Sequence, residues 1–287
     1  MGFRAFKKRF AIYLCIIAAA LMLFIIGLSY WRNAFTARVP ILMYHHLAET
    51  GASGSTISAE VFESHIKALS DAGYNAVSFA DLSDYVSNGA PLPKRPVIIT
   101  FDDGYMSVYE MAFPILQKYG MKATAFIIGI HHGSKVYKGR SYLPITPHFG
   151  DAEADIMSAS GIFSIQSHSF DMHHYIPYET DSPRIGVLQR DDESDDEYIE
   201  AFIEDYTIVA DQIENAVGVR PFVYSYPFGR RTELAESLLK DMGVTVTLTI
   251  VEKHNTVVRN SPDSLFALGR FNVPGDMTAD ELLALIK

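Results

Sequence analysis

The chain has 287 residues, 48% of them hydrophobic, and a formal net charge of −10. The first 38 residues carry six basic side chains and no acid, a charge of +6, so residues 39–287 sum to −16. A domain that acidic argues against nucleic acid or an anionic polymer as partner and suits a neutral or cationic substrate; its length of about 250 residues is enough for one large α/β core.

Phe10 to Trp31 is a 22-residue uncharged run, almost wholly apolar. It is long enough to span a bilayer with some tilt. Arg4, Lys7, Lys8 and Arg9 precede it and Tyr30-Trp31 close it. The positive-inside rule then places residues 1–9 in the cytoplasm, 10–31 in the membrane and 39–287 outside. The run is longer than a signal-peptide core and no clean small-x-small site follows it, so the expectation is an uncleaved anchor. The single cysteine, Cys15, lies inside this run. The outer domain therefore has no disulfide, and any metal there must be held by His, Asp or Glu.

Arg38 to Tyr44 reads as a first strand, ended by His45-His46. Ser58 to Gly73 has a serine cap, a glycine stop and Phe62, Ile66 and Leu69 on one face, which predicts an amphipathic helix. Tyr74 to Phe79 is a strand and Asp81 to Ser87 a short helix. The proline-rich loop 90–96 leads into Val97-Ile98-Ile99-Thr100-Phe101, a buried strand, and then into Asp102-Asp103-Gly104. Tyr109 to Tyr119 is a helix stopped by Gly120, and Lys122 to Ile128 a strand. Gly129 to Gly150 is irregular and holds His131, His132 and His148. Asp151 to Ser158 is a helix, Ile162 to Gln166 a strand, and Tyr175 to Ser194 a loop. The acidic run Asp191 to Glu197 reads as the solvated start of a long helix to Val217, in preference to a calcium site. Phe222 to Ser225, Val244 to Ile250 and Leu265 to Val273 supply strands; Glu233 to Met242 and Asp280 to Ile286 supply helices.

This alternation predicts parallel strands with helices outside, either a barrel or an open doubly wound sheet. Reactive residues collect at the strands' C-terminal ends in both, and His45, Asp102-Asp103 and His168 sit at such ends. Adjacent strand residues point to opposite sides, so the two aspartates are free to take different partners, one a metal and one a proton. A helix N-cap is the competing role for either. His168 and His173 can converge only if the chain curls after His168. With Asp103 they would form a two-histidine, one-carboxylate site, which suits zinc in hydrolases and iron(II) in oxygenases.

At these residues the chain resembles the polysaccharide deacetylases (NodB-homology, carbohydrate esterase family four). The first family motif resembles Thr100-Phe101-Asp102-Asp103-Gly104, the second Ser167-His168-Ser169-Phe170-Asp171-Met172-His173, and the third Tyr226-Pro227-Phe228-Gly229. The opening Val39-Pro40-Ile41-Leu42-Met43-Tyr44-His45-His46 is similar to the poly-N-acetylglucosamine de-N-acetylase branch. The resemblance implies a distorted (β/α)7-type barrel over residues 39–287. It implies metal-dependent removal of N-acetyl groups from an N-acetylated cell-wall or exopolysaccharide. A divalent metal, most simply zinc with cobalt, nickel or iron as alternatives, would be held by Asp103, His168 and His173. Asp102 would be the general base, His45 the general acid with His46 as competitor, and the backbone N–H of Phe228 an oxyanion donor. An O-acetyl ester, a non-sugar amide and a non-catalytic glycan-binding module are the alternatives. The arginine that many members carry two residues before the third motif's proline is here Ser225; Arg220 and Arg270 are the candidates to replace it. Asp171 is expected to brace the histidine loop, and His65, His131, His132, His148, His174 and His254 to be loop or surface residues.

Overall fold

The computed structural model describes residues 13–14, 16–23, 35–137, 140–174 and 184–287. The chain separates into two units, Met1–Ala37 and Arg38–Lys287. In the first, residues 13–14 and 16–23 are helical and exposed. Most of the expected membrane span Phe10–Trp31 lies outside the described residues, among which no helix is long and apolar enough to cross a membrane.

The second unit is built on a curled, all-parallel sheet with helices around it. Its strands are β1 (Ile41–Tyr44), β2 (Pro96–Phe101), β3 (Ala123–Ile127), β4 (Phe163–Ser167), β5 (Val223–Ser225), β6 (Val246–Leu248) and β7 (Phe271–Asn272), in the spatial order β6-β5-β4-β3-β2-β1-β7. The short Asn75–Ala76 strand pairs outside β2. Its helices are α1 (Ala59–Asp71), α2 (Phe79–Ser87), α3 (Phe113–Tyr119), α4 (Asp151–Ala159), α5 (Asp195–Val217), α6 (Glu233–Asp241) and α7 (Ala279–Leu285). Serine or threonine side chains cap α1, α2, α5, α6 and α7, each satisfying a backbone N–H that the first turn leaves unpaired.

Register places the reactive residues. Tyr44 pairs with Phe101, Phe101 with Ala125, and Ser167 with both Ile127 and Tyr224. His45, Asp102 and His168 follow directly on these residues, so they emerge at the same end of the sheet. All four residues of β1 are buried, as in a sheet covered on both faces. Outside it, Tyr44 meets Phe62 of α1 edge-on at 5.1 Å and stacks on Phe101 at 5.6 Å.

The sheet's two edges meet through one segment. Leu268 bridges Leu248 in parallel, and Arg270 N–H donates to Val251 O at 3.1 Å. Three residues later, Val273 N–H donates to Met43 O at 3.1 Å, continuing the β7–β1 pairing. Gly269 is required in this seam because a Cβ there would strike the carbonyl oxygen of Val251. Asn255 zips the seam further: its Oδ1 accepts from Gly269 N–H and its Nδ2 donates to Gly269 O, both at 2.8 Å.

Several sequence expectations are corrected. The first strand breaks at Pro40 into Thr36–Val39 and β1, because proline has no N–H to continue a ladder. The helix expected from Tyr109 opens with a π-helical turn, Val108–Ala112, before α3. The irregular region holds an antiparallel pair, Val136–Tyr137 with Arg140–Pro144. Part of the expected loop 175–194, residues 175–183, lies outside the described residues. In the acidic run, Ser194 and Glu197 form the cap of α5 as expected, but Glu193 is buried against Arg184 at 2.5 Å. His65 is a core residue, not a surface one: its Nε2–H donates to Met277 O at 2.9 Å, so its Nδ1 accepts from the Tyr44 hydroxyl at 3.2 Å.

Burial holds the His65 pKa below the ordinary 6.5. The unfolded chain therefore takes up a proton the folded chain refuses, and stability falls as pH drops through this window. Replacing His65 by Leu strands a buried hydroxyl and a carbonyl. The substitution is expected to cost about 1–3 kcal/mol near neutral pH, and to flatten the acid-side loss of stability, both read from urea unfolding over pH ~7 to ~5.

Candidate active site

The Asp102-Asp103 pair converges by a route the sequence did not give. Asp102 is the last residue held by the β1–β2 ladder, its N–H donating to Tyr44 O at 2.9 Å. Asp103 and Gly104 then take left-handed backbone angles, φ 73° and 82°. This turn, not strand alternation, brings both carboxylates to one site. Gly104 also approaches β3 closely, since a Cβ there would lie 3.1 Å from Ile127 Cγ2.

The second motif curls as its spacing required. His168 N–H donates to Ile127 O at 2.9 Å, and Ser169 turns through φ 75°. Gly129 and Ile130 then donate to the carbonyls of Ser169 and Phe170 at 3.0 and 2.9 Å. From the other side Asp205 of α5 accepts the N–H groups of Phe170 (2.9 Å) and Asp171 (2.7 Å). The loop between the two histidines is thus clamped along both edges of its backbone. Asp171 lies 3.3 Å from His174, consistent with bracing.

Asp103, His168 and His173 offer three ligand atoms within 4.8 Å of one another. Asp103 Oδ1 is 3.6 Å from His168 Nε2 and 3.5 Å from His173 Nε2. These separations are too long for hydrogen bonds. They approach the edge of a tetrahedron of ligands, about 3.3 Å for bonds of about 2.0–2.1 Å to a divalent metal. His168 Nδ1 lies 2.7 Å from Ser225 O, which can only accept. The proton is therefore on Nδ1 and the Nε2 lone pair faces the cluster, the arrangement usual for a metal-binding histidine. Burial pushes His173 down to about 4, against the pull of Asp103, so its imidazole is neutral at neutral pH. Burial opposes ionisation of Asp103, but His173, His45 and His168 around it outweigh burial and hold it below the usual carboxylate value. The residues present fit a divalent cation.

Asp102 has a different partner. Arg270, fully buried, grips it with a two-pronged fork, Nη1 to Oδ1 at 2.6 Å and Nη2 to Oδ2 at 2.7 Å. Arg270 Nε donates to Thr249 O at 3.1 Å, and the guanidinium lies 5.9 Å from the Phe126 ring centre. Burial alone would raise the Asp102 pKa; the Arg270 charge, His168 and the fork reverse this and hold it well below the usual range. Of the two arginines open from sequence, Arg270 fills the role. Arg220 pairs with Asp211 and Glu214 at 2.7 and 2.9 Å.

His45 is half-buried, and its charge acts on both Asp102 and Asp103. His46 instead places Nδ1 2.9 Å from Ser107 Oγ and its ring 5.2 Å from Tyr105. Phe228 has left-handed angles (φ 55°, ψ 18°) in the Pro227–Gly229 turn, with its ring centre 4.4 Å from that of His173. His148 lies in the loop, as expected, but is buried there, its ring tilted against those of Tyr105 (4.9 Å) and His131 (5.3 Å), and burial pushes its pKa to about 4. His132 pairs with Asp151 at 2.8 Å and His254 meets Phe271 edge-on. Asp205 was missed, although it interrupts the apolar stripe Tyr198-Phe202-Tyr206-Val209 that α5 buries. A lone acid in such a stripe is the signal that finds it.

The site is thus a two-histidine, one-carboxylate cluster beside a clamped second carboxylate at one end of a parallel, barrel-like sheet. The family model for polysaccharide deacetylase matches residues 89–247, more than half of the chain, and the chain belongs to that family. His45 and Arg270 both lie outside the matched segment. The chain is 33% identical over 149 residues to the poly-β-1,6-N-acetyl-D-glucosamine N-deacetylase of Staphylococcus aureus, covering 52% of this chain and 49% of that one. It is 26% identical over 240 residues to the protein of the same name from Escherichia coli, covering 76% and 34%. The chain thus spans about half or less of the length of these relatives. A solved de-N-acetylase structure from Aggregatibacter actinomycetemcomitans superposes with a TM-score of 0.72 at 24% identity, over 87% of this chain and 100% of that one, which establishes the shared fold.

Replacing Asp205 by Ala frees the N–H groups of Phe170 and Asp171 and loosens the loop that carries His173. Affinity for zinc, read by competition with a chromogenic chelator, is expected to fall about 10- to 100-fold. Asp205→Asn, which keeps one accepting oxygen, is expected to fall in between.

Proposed function

We propose that this chain is a metal-dependent hydrolase that removes N-acetyl groups from N-acetylglucosamine-containing polysaccharide. One observation carries the reading: three ligand atoms of Asp103, His168 and His173 converge beside an Asp102 that Arg270 keeps ionised. Family membership and the names of the relatives support the substrate class. We further propose that residues 10–31 anchor the chain in the cytoplasmic membrane with residues 39–287 outside, on the strength of the sequence pattern alone.

Asp103, His168 and His173 would hold the divalent metal, taken as zinc from the ligand set. Bound there, it supplies Lewis acidity toward the amide carbonyl and toward water. Asp102 accepts the proton of the attacking water as the carbon–oxygen bond forms. The Phe228 backbone N–H is assigned to the oxyanion that develops. His45 donates a proton to the nitrogen as the carbon–nitrogen bond breaks, since an amine does not leave as an anion. Acetate and a free amino sugar result. An acid on the leaving-group side favours an amide over an ester, and a base with an acid favours turnover over mere binding.

Incubation with β-1,6-linked N-acetylglucosamine oligomers is expected to release acetate and free amines in equal amounts, abolished by a chelator and restored by zinc. Acetate without amines, or binding without release, overturns the proposal. Asp102→Asn is expected to abolish turnover while zinc binding persists. His45→Ala is expected to lower the rate about a hundredfold or more. In Arg270→Gln the unpaired Asp102 carboxyl rises in pKa, so the acid limb of kcat/KM against pH is expected to move up by about one to three units.

A further inference from the structure

We propose that a basic cavity at the floor of the barrel is a binding site for a phosphate-bearing anion. The cavity has a volume of 370 Å³, within the range of small-ligand sites. Pro40, just before β1, and Pro96, the first residue of β2, both line it, so it lies at the strands' N-terminal ends. His45, Asp102 and His168 emerge at the opposite ends. The cavity and the hydrolytic site are therefore separate, and the inference stands whether or not the hydrolytic reading does.

Arg38, Arg95, His254 and Lys287 line this cavity and no Asp or Glu side chain does; Lys287, the last residue, sets its own α-carboxylate against its ammonium, so the two arginines carry the positive charge. That is charge segregation in a domain whose net charge is strongly negative. Among the described residues no Asp or Glu side chain forms an ion pair with Arg38 or Arg95. His254 records the local potential: burial and then the Arg38 charge hold it below its ordinary value.

Arg95 carries a second signal. It is one of few non-glycine residues with left-handed angles, φ 48°. A long side chain seldom adopts this conformation, and where it persists the surroundings impose it. Here Nη1 donates to the Ala72 carbonyl and the guanidinium lies 5.8 Å from the Tyr74 ring centre. The fork is thereby held at the cavity wall, and its other N–H groups have no hydrogen bond among the described residues. The two guanidinium forks match a phosphate in charge and in its several accepting oxygens, whereas one carboxylate would neutralise only one of them. A free phosphate ester and a lipid headgroup offer the same group.

The test is calorimetry on the full chain in a neutral detergent, with inorganic phosphate and a short-chain phosphatidylglycerol as probes. Wild-type chain is expected to bind at least one probe, and Arg38→Gln with Arg95→Gln to weaken it about tenfold or more. A double variant with the same charge loss elsewhere, Lys67→Gln with Lys118→Gln, is expected to bind as wild type. Tighter binding of phosphatidylglycerol assigns the site to a headgroup; tighter binding of phosphate assigns it to a soluble ester. If the first double variant does not fold, Arg38→Gln alone is read for a smaller loss in the same direction. Binding of neither probe, unchanged affinity in the floor variants, or an equal loss in the Lys67, Lys118 control overturns the proposal.

Discussion

Arg270 and Asp102 face each other with both charged groups sealed from water. Removing two ions from solvent is costly, and only good geometry with further hydrogen bonds offsets it. The fork uses both carboxylate oxygens, Nε finds the Thr249 carbonyl, and Nη1 also lies 3.5 Å from Thr100 Oγ1. Taking away either partner leaves the other stranded in the interior, so the two residues are constrained to persist together. Arg270 also belongs to the segment that joins the sheet's two edges. The side chain that grips Asp102 is thus delivered by the segment that joins the sheet's edges, and site geometry and fold closure depend on one piece of chain.

The remaining parts of the site are held against local preference. Asp103, Ser169 and Phe228 all lie in the left-handed region, which is unfavourable for residues with a Cβ. Each marks a point where the chain must turn abruptly at the end of a strand. Cross-bracing supplies the compensation: Gly129 and Ile130 from one side and Asp205 from the other fix the histidine loop, and Ser225 fixes the ring of His168. A histidine pair five residues apart meets neither helical nor strand periodicity, so its convergence rests on these backbone contacts.

What the sequence disclosed follows the same division. Residues at strand ends were legible, because a buried apolar run followed by Asp102-Asp103 or by His168 signals both the element and its reactive terminus. The helices were legible from their caps and apolar faces. The route to convergence was not: strand alternation predicted two aspartates on opposite sides, and a left-handed turn placed them together. Arg270 could be named only as one of two candidates, since its reach depends on how the edges of the sheet meet. Asn255 and Asp205 were missed because their roles are to satisfy backbone groups of distant segments, which no local pattern encodes. His65 reads as a loop or surface residue because an imidazole with complementary partners in the core looks, in sequence, like any other.

The seam has a consequence for the order of synthesis. Its residues, Leu268 to Val273, are made after every other strand of the barrel, and they pair with β1, made first among those strands. Long-range pairing of this kind delays completion of a fold until both segments exist. A nascent chain ending before residue 270 has Asp103, His168 and His173 but neither the seam nor the arginine that grips Asp102. The arrangement around Asp102 is therefore completed only when the last strand segment has been made.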